Sequence, residues 1–395
     1  MDQLDLTKSL LNLSSPCLGC ASPKCESFCR SGIPYKTINM LIKEEKIKEA
    51  TELLFEFNPF PELTLSLCDC SSGAKGNCIK GKINEPIDTK EIERLLSSYS
   101  FPYINPIKNN KKVAIIGSGP AGCSLAYQLI KKGYEVTIFE KNKQIGGAIF
   151  NYIPRFRFDM SILDSVKSKL DKLGVKFVFF YYCDKEKLGQ LKKEYNYVYL
   201  CIGNNLSRKI PYSSSRIIYG LDLLNKTINN SIKFDKEDSF VVYGGGNVAF
   251  DCANLLLKQG HKVTLLYRRD FVSMPANKEE IDLAISNGIS FVFTSVIDDI
   301  EEDKNGLIIK TIKTKLGEVK NGRATFENTT TKGETLIGSY LITCIGQKSD
   351  YDLYKIANPC RQIEENVFLC GDYFHGSKTI GEAIKDAKIA SSLID

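Results

Sequence analysis

A chain of 395 residues with 43% hydrophobic residues is long enough for two or three cored domains. Its net charge of +6, from 53 basic and 47 acidic side chains with no long basic run, gives no sign of a nucleic-acid-binding stripe. No apolar run reaches the length of a membrane span, and residues 1–13 carry acids where a secretion signal would have a basic and then an apolar stretch. Fourteen cysteines without such a signal argue against a disulfide framework and for a reducing, cytoplasmic compartment.

Seven of those cysteines fall within residues 17–78. Cys17, Cys20, Cys25 and Cys29 are separated by two, four and three residues, and Cys68, Cys70 and Cys78 follow in a loop rich in Ser, Gly and Lys. Between them, 35–46 and 47–57 read as helices, ended by Asn58, Pro59, Phe60 and Pro61; 86–98 reads as a short helix carrying Glu91, Glu93 and Arg94, and 101–112 as a linker. Thiols clustered at such gaps bind metal. Zinc closes a tetrahedral site with four ligands, and an iron–sulfur cluster also takes four thiolates, so spacing alone leaves both open.

The next stretch favours iron. Residues 113–116 read as a buried strand, Gly117, Gly119 and Gly122 follow in GxGxxG spacing, a helix runs over 123–132 to Gly133, and 135–139 reads as the next strand, ending at Glu140. This is the dinucleotide fingerprint: a tight turn, a close approach to pyrophosphate, a close helix–strand contact, and an acid for a ribose hydroxyl. The helix N-terminus supplies unpaired N–H groups and positive dipole to the phosphates. A flavin bound there has electrons to pass on, which zinc cannot accept and a [4Fe–4S] cluster can.

Beyond it, Gly146 and Gly147 suit a loop lying against a cofactor, 161–173 reads as an amphipathic helix, and 175–182 and 197–202 as strands. Residues 240–267 then repeat 113–140 at a constant offset of 127: Gly244 and Gly246 stand where Gly117 and Gly119 do, Ala249 replaces the third glycine, and Tyr267 replaces the acid and is followed by Arg268 and Arg269. A carboxylate would repel a 2′-phosphate, whereas a guanidinium grips it with parallel bonds. The first unit therefore suits FAD or NAD and the second NADPH. Residues 296–338 alternate apolar and polar residues with turn signals, predicting a small antiparallel sheet; 339–345 and 367–370 read as strands and 379–393 as a closing helix. Gly371 and Asp372 lie at a strand end, where an open α/β sheet holds ligands, and suit a flavin ribityl or phosphate contact. His261 reads as a surface turn residue, and His375 receives no chemical role.

Taken together, these motifs resemble the NADPH-oxidising small (beta) subunit of glutamate synthase, a family shared with the N-terminal part of dihydropyrimidine dehydrogenase. The marks are the cysteine run 17–29, the Asn58 to Pro61 stretch before Cys68, the Gly117 to Gly122 loop, and Ile153, Pro154, Arg155, Phe156 and Arg157. Later come the Gly244 to Asp251 run with Asn247 and Val248, the Arg268 pair, Met274 to Ala276, Gly346 with Gln347, and Gly371 with Asp372. The resemblance implies an α/β chain with two Rossmann-like dinucleotide-binding domains preceded by an α-helical iron–sulfur domain. The corresponding divisions are a helical cluster domain at 1–108, an FAD domain in two parts at 109–235 and 339–395, and an NADPH domain at 236–338. It implies FAD, NADPH and [4Fe–4S] clusters, and electron delivery to a separate catalytic subunit, with glutamate synthesis favoured over pyrimidine reduction. By family position Cys17, Cys20, Cys25 and Cys78 hold one cluster, and Cys29, Cys68 and Glu93 belong to a second. The family has a cysteine where this chain has Ala74, and a proline where it has Arg30; Cys70, two residues after Cys68, is placed to fill the gap.

Two rival readings differ in class. A disulfide reductase of the thioredoxin-reductase type shares both dinucleotide folds but needs a redox cysteine pair, and the later cysteines contain no C-x-x-C. A zinc-bound, non-catalytic module is opposed by the intact glycines of both units.

Overall fold

The computed structural model describes residues 3–394 except 71, 103, 321–322, 350–352 and 354–359. The chain forms two compact units, one of residues 1–150, 155–204 and 349–395, the other of 151–154 and 205–348.

In the first unit, helices Gln3–Ser14, Tyr35–Lys43, Ile47–Phe57 and Thr89–Tyr99 close around Leu6, Leu10, Ile38, Ile42, Leu54, Ile92 and Leu96, and helices Pro61–Leu67 and Thr89–Tyr99 pack together. The last of these helices starts at Asp88, whose carboxylate accepts the Glu91 N–H at 3.1 Å. Sequence periodicity missed the first helix, which begins among polar residues and buries only Leu6, Leu10 and Ser14. A six-stranded sheet follows, in the order Gln362–Glu364, Val367–Leu369, Tyr197–Leu200, Lys112–Ile116, Glu135–Phe139, Lys176–Val178. All neighbours are parallel except the first pair. The strand expected over 175–182 stops at Val178 because Phe180 takes a left-handed φ of 56°.

Helix Pro120–Lys131 joins the two parts of this unit. Every residue from Ala121 to Ile130 is buried. One side packs along Ile380–Ser391, a helix opened by a Thr379–Glu382 capping box. Another meets the N-terminal helices: Tyr127 sits edge-on to Phe60 and Phe101, Gln128 donates to the Glu56 carbonyl at 2.9 Å, and Lys131 pairs with the Glu56 carboxylate.

The second unit holds a five-stranded parallel sheet, in the order Ile217–Tyr219, Tyr340–Thr343, Ser239–Tyr243, Lys262–Leu266, Ser290–Val292. Its strand, helix and strand at Ser239–Tyr243, Asn247–Lys258 and Lys262–Leu266 repeat Lys112–Ile116, Pro120–Lys131 and Glu135–Phe139 at the 127-residue offset. The antiparallel sheet foreseen over 296–338 is present as Ser295–Asp303, Gly306–Lys320 and Arg323–Gly338. The division at 235/236 and 338/339 needs correction. Leu341 pairs with both Ile217 and Val241, so 205–235 and 339–348 belong with the second sheet, and the chain rejoins the first unit at 349. The surface reading of His261 is also overturned: it is 8% exposed, packed edge-on against Phe234 and Phe240. Among the described residues, no helix is long and apolar enough to cross a membrane.

Glu56 takes ammonium groups from both Lys131 and Lys388, the latter at 3.0 Å. Burial pushes its carboxyl up, but the two lysines outweigh burial and hold it below the ordinary glutamate value of 4.5. A depressed folded-state pKa stabilises above the unfolded value and the gain is lost as pH falls. Glu56→Gln is therefore expected to cost about 1 kcal/mol at pH 7, these side chains being partly exposed. The difference from the parent should shrink as pH drops through 4.5 and below. Thermal melts across that range measure it; a pH-independent difference would contradict the ion-pair account.

Candidate dinucleotide and cysteine sites

The turn after Lys112–Ile116 leaves no room for a side chain at the first and third glycines of the fingerprint. A Cβ on Gly122 would lie 2.0 Å from the Gly117 carbonyl oxygen, and one on Gly117 (φ 102°) 2.5 Å from that of Cys201. At Gly119, the residue before helix Pro120–Lys131, the space is open; its one near neighbour is the Gly147 Cα at 3.9 Å. That open face, with helix N–H groups behind it, is a cradle that a pyrophosphate fits. Gly147 packs on Gly119, and the Gly146 N–H donates to the Ser118 carbonyl at 2.9 Å, so the paired glycines shape the loop from behind.

Glu140 directly follows strand Glu135–Phe139 and is 4% exposed. One carboxylate oxygen accepts from the Ser118 N–H at 3.0 Å and hydroxyl at 2.5 Å, the other from the Asn142 N–H at 2.9 Å and side-chain amide at 2.7 Å. Ser118 and Asn142 fix the acid in place; both adjoin motif residues, but no periodicity marks them. Gly371 and Asp372 are brought to the same sheet end. Asp386, on the last helix, accepts from the Gly371 N–H at 2.7 Å and from both Arg361 nitrogens at 2.9 and 2.6 Å, and pairs with His375. Burial raises the Asp386 carboxyl, but these donors outweigh it and leave it low. Asp372 accepts from the Lys378 N–H at 3.1 Å, and burial pushes its carboxyl up to about 7. A half-buried acid of this kind suits a hydroxyl-rich ligand chain.

The second unit repeats the turn. A Cβ on Gly244 would meet the Cys344 carbonyl oxygen at 2.4 Å, Gly246 has nothing within 4 Å, and Ala249 is fully buried. Asn247 accepts the Asn277 N–H at 2.8 Å, and Val248 packs close to Gly220, so these two side chains brace the helix start. Gly346 accepts the Arg208 N–H at 2.9 Å, beside the short ribbon of Leu206–Ser207 with Gln347–Lys348, and lies in the second unit. Tyr267 donates its hydroxyl to the Ser273 carbonyl at 2.9 Å. Arg268 is exposed and Arg269 half-buried, both beside the antiparallel sheet.

In the N-terminal helical part, Cys17, Cys20, Cys25 and Cys78 line one cavity, with Tyr35, Asn39 and Thr89 also on its wall. The single turn Lys24–Ser27 carries Cys25 into it. Burial pushes the Cys25 thiol up to about 11, reinforced by Glu26, Cys78 and Cys17. Four soft donors around one cavity are the ligand set that an iron–sulfur cluster takes. A second group gathers behind it. Cys68 donates to Cys70, which holds Cys70 down and raises Cys68, with Glu93 and Cys29 close enough to raise Cys68 further. Glu93 is buried and accepts from the Asn58 amide at 2.6 Å, the Thr64 hydroxyl at 2.7 Å and the Tyr35 hydroxyl at 3.1 Å. Ala74 is buried in the helical core. Among the described residues, no three His, Cys, Asp or Glu side chains close on a single metal-ion position.

Residues 111–387 match the family described as pyridine nucleotide-disulphide oxidoreductase. The chain belongs to that family. Residues 5–102 match dihydropyrimidine dehydrogenase domain II, 4Fe-4S cluster. The chain is 27% identical to the NAD-dependent dihydropyrimidine dehydrogenase subunit PreT of Escherichia coli K12, over 96% of this chain and 92% of that one. To the glutamate synthase [NADPH] small chain of Halomonas elongata it is 29% identical, over 78% and 70%. The structure of Mycobacterium tuberculosis FprA in complex with NADPH shares the fold, with a TM-score of 0.61 and 17% identity over 73% of this chain and 84% of that one. The protein is thus an FAD-dependent NAD(P)H oxidoreductase with a [4Fe–4S] domain, as the resemblance implies.

The two glycines separate fold from ligand. Gly122→Ala has no space and should lower both the melting temperature and the flavin content, with overpacking costing about 1–3 kcal/mol or more. Gly119→Ala should melt near the parent temperature yet bind flavin poorly. Flavin-to-protein absorbance ratios and melts of both variants measure this; a flavin-replete Gly122→Ala protein would refute the close-contact account.

Proposed function

We propose that this chain is an electron-input subunit, taking reducing equivalents from NADPH and delivering them to a separate catalytic subunit. The observation that carries the reading is the cavity ringed by Cys17, Cys20, Cys25 and Cys78, built into one compact unit with a flavin-type dinucleotide fold. When bound, the flavin accepts hydride from the nicotinamide and the clusters carry single electrons onward. The chain's own part is to hold and orient. Gly117, Gly119, Gly122 and Glu140 take the pyrophosphate and ribose of FAD, and Gly371 and Asp372, tethered through Asp386, take its ribityl side. Gly244, Gly246 and the Asn247 helix start take NADPH.

The first four cysteines hold one cluster. Cys29, Cys68 and Cys70 serve the second, Cys70 standing in for the thiol absent at Ala74, with Glu93 as the oxygen group beside them. The relatives are named as NAD-dependent in one case and NADPH in the other. Arg268 and Arg269 at the ribose position favour NADPH here. Those names also divide between pyrimidine reduction and glutamate synthesis, each as one part of an assembly ("subunit", "small chain"). The acceptor's chemistry belongs to the partner.

Anaerobically purified protein should show a flavin spectrum over a broad iron–sulfur band, with about eight irons per chain and no zinc; Cys70→Ala should keep about four. A colourless, zinc-loaded preparation would overturn the electron-transfer reading, and a Cys70→Ala protein with full iron would remove Cys70 from the ligands.

Replacing Arg268 and Arg269 together with alanine should raise the KM for NADPH about ten- to a hundredfold, through charge-assisted bonds worth roughly 1.5–3 kcal/mol each. NADH use should change little. Equal efficiency with both nucleotides in the parent would end the NADPH assignment.

A further inference from the structure

The antiparallel sheet of the second unit does more than fill a loop. Phe326, on strand Arg323–Gly338, faces both arginines of the ribose position: the Arg268 guanidinium carbon lies 4.6 Å from the ring centroid and that of Arg269 lies 5.3 Å away. The two guanidinium groups are not equivalent. Arg269 donates its Nε to the Ala324 carbonyl at 2.5 Å, two residues from Phe326, and is half-buried. Arg268 is exposed, its charged head held against the ring. The backbone is stitched in the same way. The Thr314 hydroxyl donates to the Arg268 carbonyl at 2.8 Å, the Thr314 N–H to the Thr294 carbonyl at 2.8 Å, and the Thr294 N–H to the Arg269 carbonyl at 3.1 Å.

An unsupported surface arginine loses rotamer entropy when it grips an anion, and a ring that already fixes its plane removes part of that cost. We propose that Phe326 is a positioning residue for dinucleotide specificity: its ring holds Arg268 ready for a 2′-phosphate, while Arg269, anchored to the Ala324 carbonyl, serves as the strut. The long hairpin thereby becomes part of the selectivity device, although it carries no motif residue. This deepens the NADPH reading above and rests on it.

The test uses the full-length, cofactor-loaded protein and two fragments as probes, adenosine 2′,5′-bisphosphate and adenosine 5′-phosphate, titrated calorimetrically. The parent should prefer the bisphosphate by about tenfold or more, the value of a charge-assisted phosphate contact. Phe326→Leu, which keeps apolar bulk but removes the π-face, should reduce that preference about two- to fivefold, the range for an exposed cation–π contact. Phe326→Tyr should retain it. Adenosine 5′-phosphate should bind all three alike, and in steady state the Phe326→Leu loss should fall on the KM for NADPH rather than on that for NADH. A Phe326→Leu protein with the parental preference overturns the proposal and leaves the NADPH reading standing. Equal loss of both probes would show a merely structural hairpin and also overturn it. A parent that binds both fragments equally sinks the NADPH reading and this inference together.

Discussion

The contact on which most of the first unit depends is the approach of helix Pro120–Lys131 to the turn before it, closed to the point that a Cβ at Gly122 would sit 2.0 Å from the Gly117 oxygen. That approach does two things. It aims the N–H groups of the helix start past Gly119 into open space, where an anion can take them. It also sets the helix's remaining faces, which are buried from Ala121 to Ile130, so that Tyr127, Gln128 and Lys131 reach Phe60 and Glu56 of the helical part. The dinucleotide cradle and the N-terminal helices are thereby held together by one buried helix.

The two dinucleotide units share one backbone and differ in the side chains it carries. Strand, helix and strand recur at constant offset and with the same steric exclusion at Gly117 and Gly244. What differs lies at the end of the second strand. In the first unit a carboxylate is fixed by four donors from Ser118 and Asn142; in the second, a buried tyrosine gives way to two arginines packed on Phe326. The acid is locked by backbone and side-chain donors close to it in sequence or at the adjoining turn. Guanidinium groups need a support from elsewhere in the chain, and the antiparallel sheet provides one.

The cysteine region is organised by buried polarity as much as by thiols. Glu93 is held by Tyr35, Asn58 and Thr64, residues from three different helical segments or their junctions, so the carboxylate ties those segments together behind the second thiol group. Such a web is costly to leave partly satisfied, which makes it sensitive to any change in its members. Tyr35 also lies on the wall of the first cavity, linking the two groups through a single side chain.

Local sequence determined what depends on neighbours in the chain. The glycine turns, the strand–helix–strand repeat and the alternation over 296–338 are short-range patterns, and each appears in the structure where spacing put it. Gly119 and Gly246 could be read as open positions because steric demand at a tight turn is local. Tertiary structure decided everything set by residues far apart. It assigned Tyr340–Thr343 to the second sheet, since strand partners are chosen by edge complementarity and not by order in the chain. It buried His261 among Phe234 and Phe240, and it set Asp386 beneath Gly371 from a helix fifteen residues on. It also placed Cys201 and Cys370 within hydrogen-bonding reach, a pairing that a search for C-x-x-C could not show. Phe326 belongs to the same class: nothing in its own stretch marks it, and its role exists only because a hairpin returns it to the arginines almost sixty residues earlier.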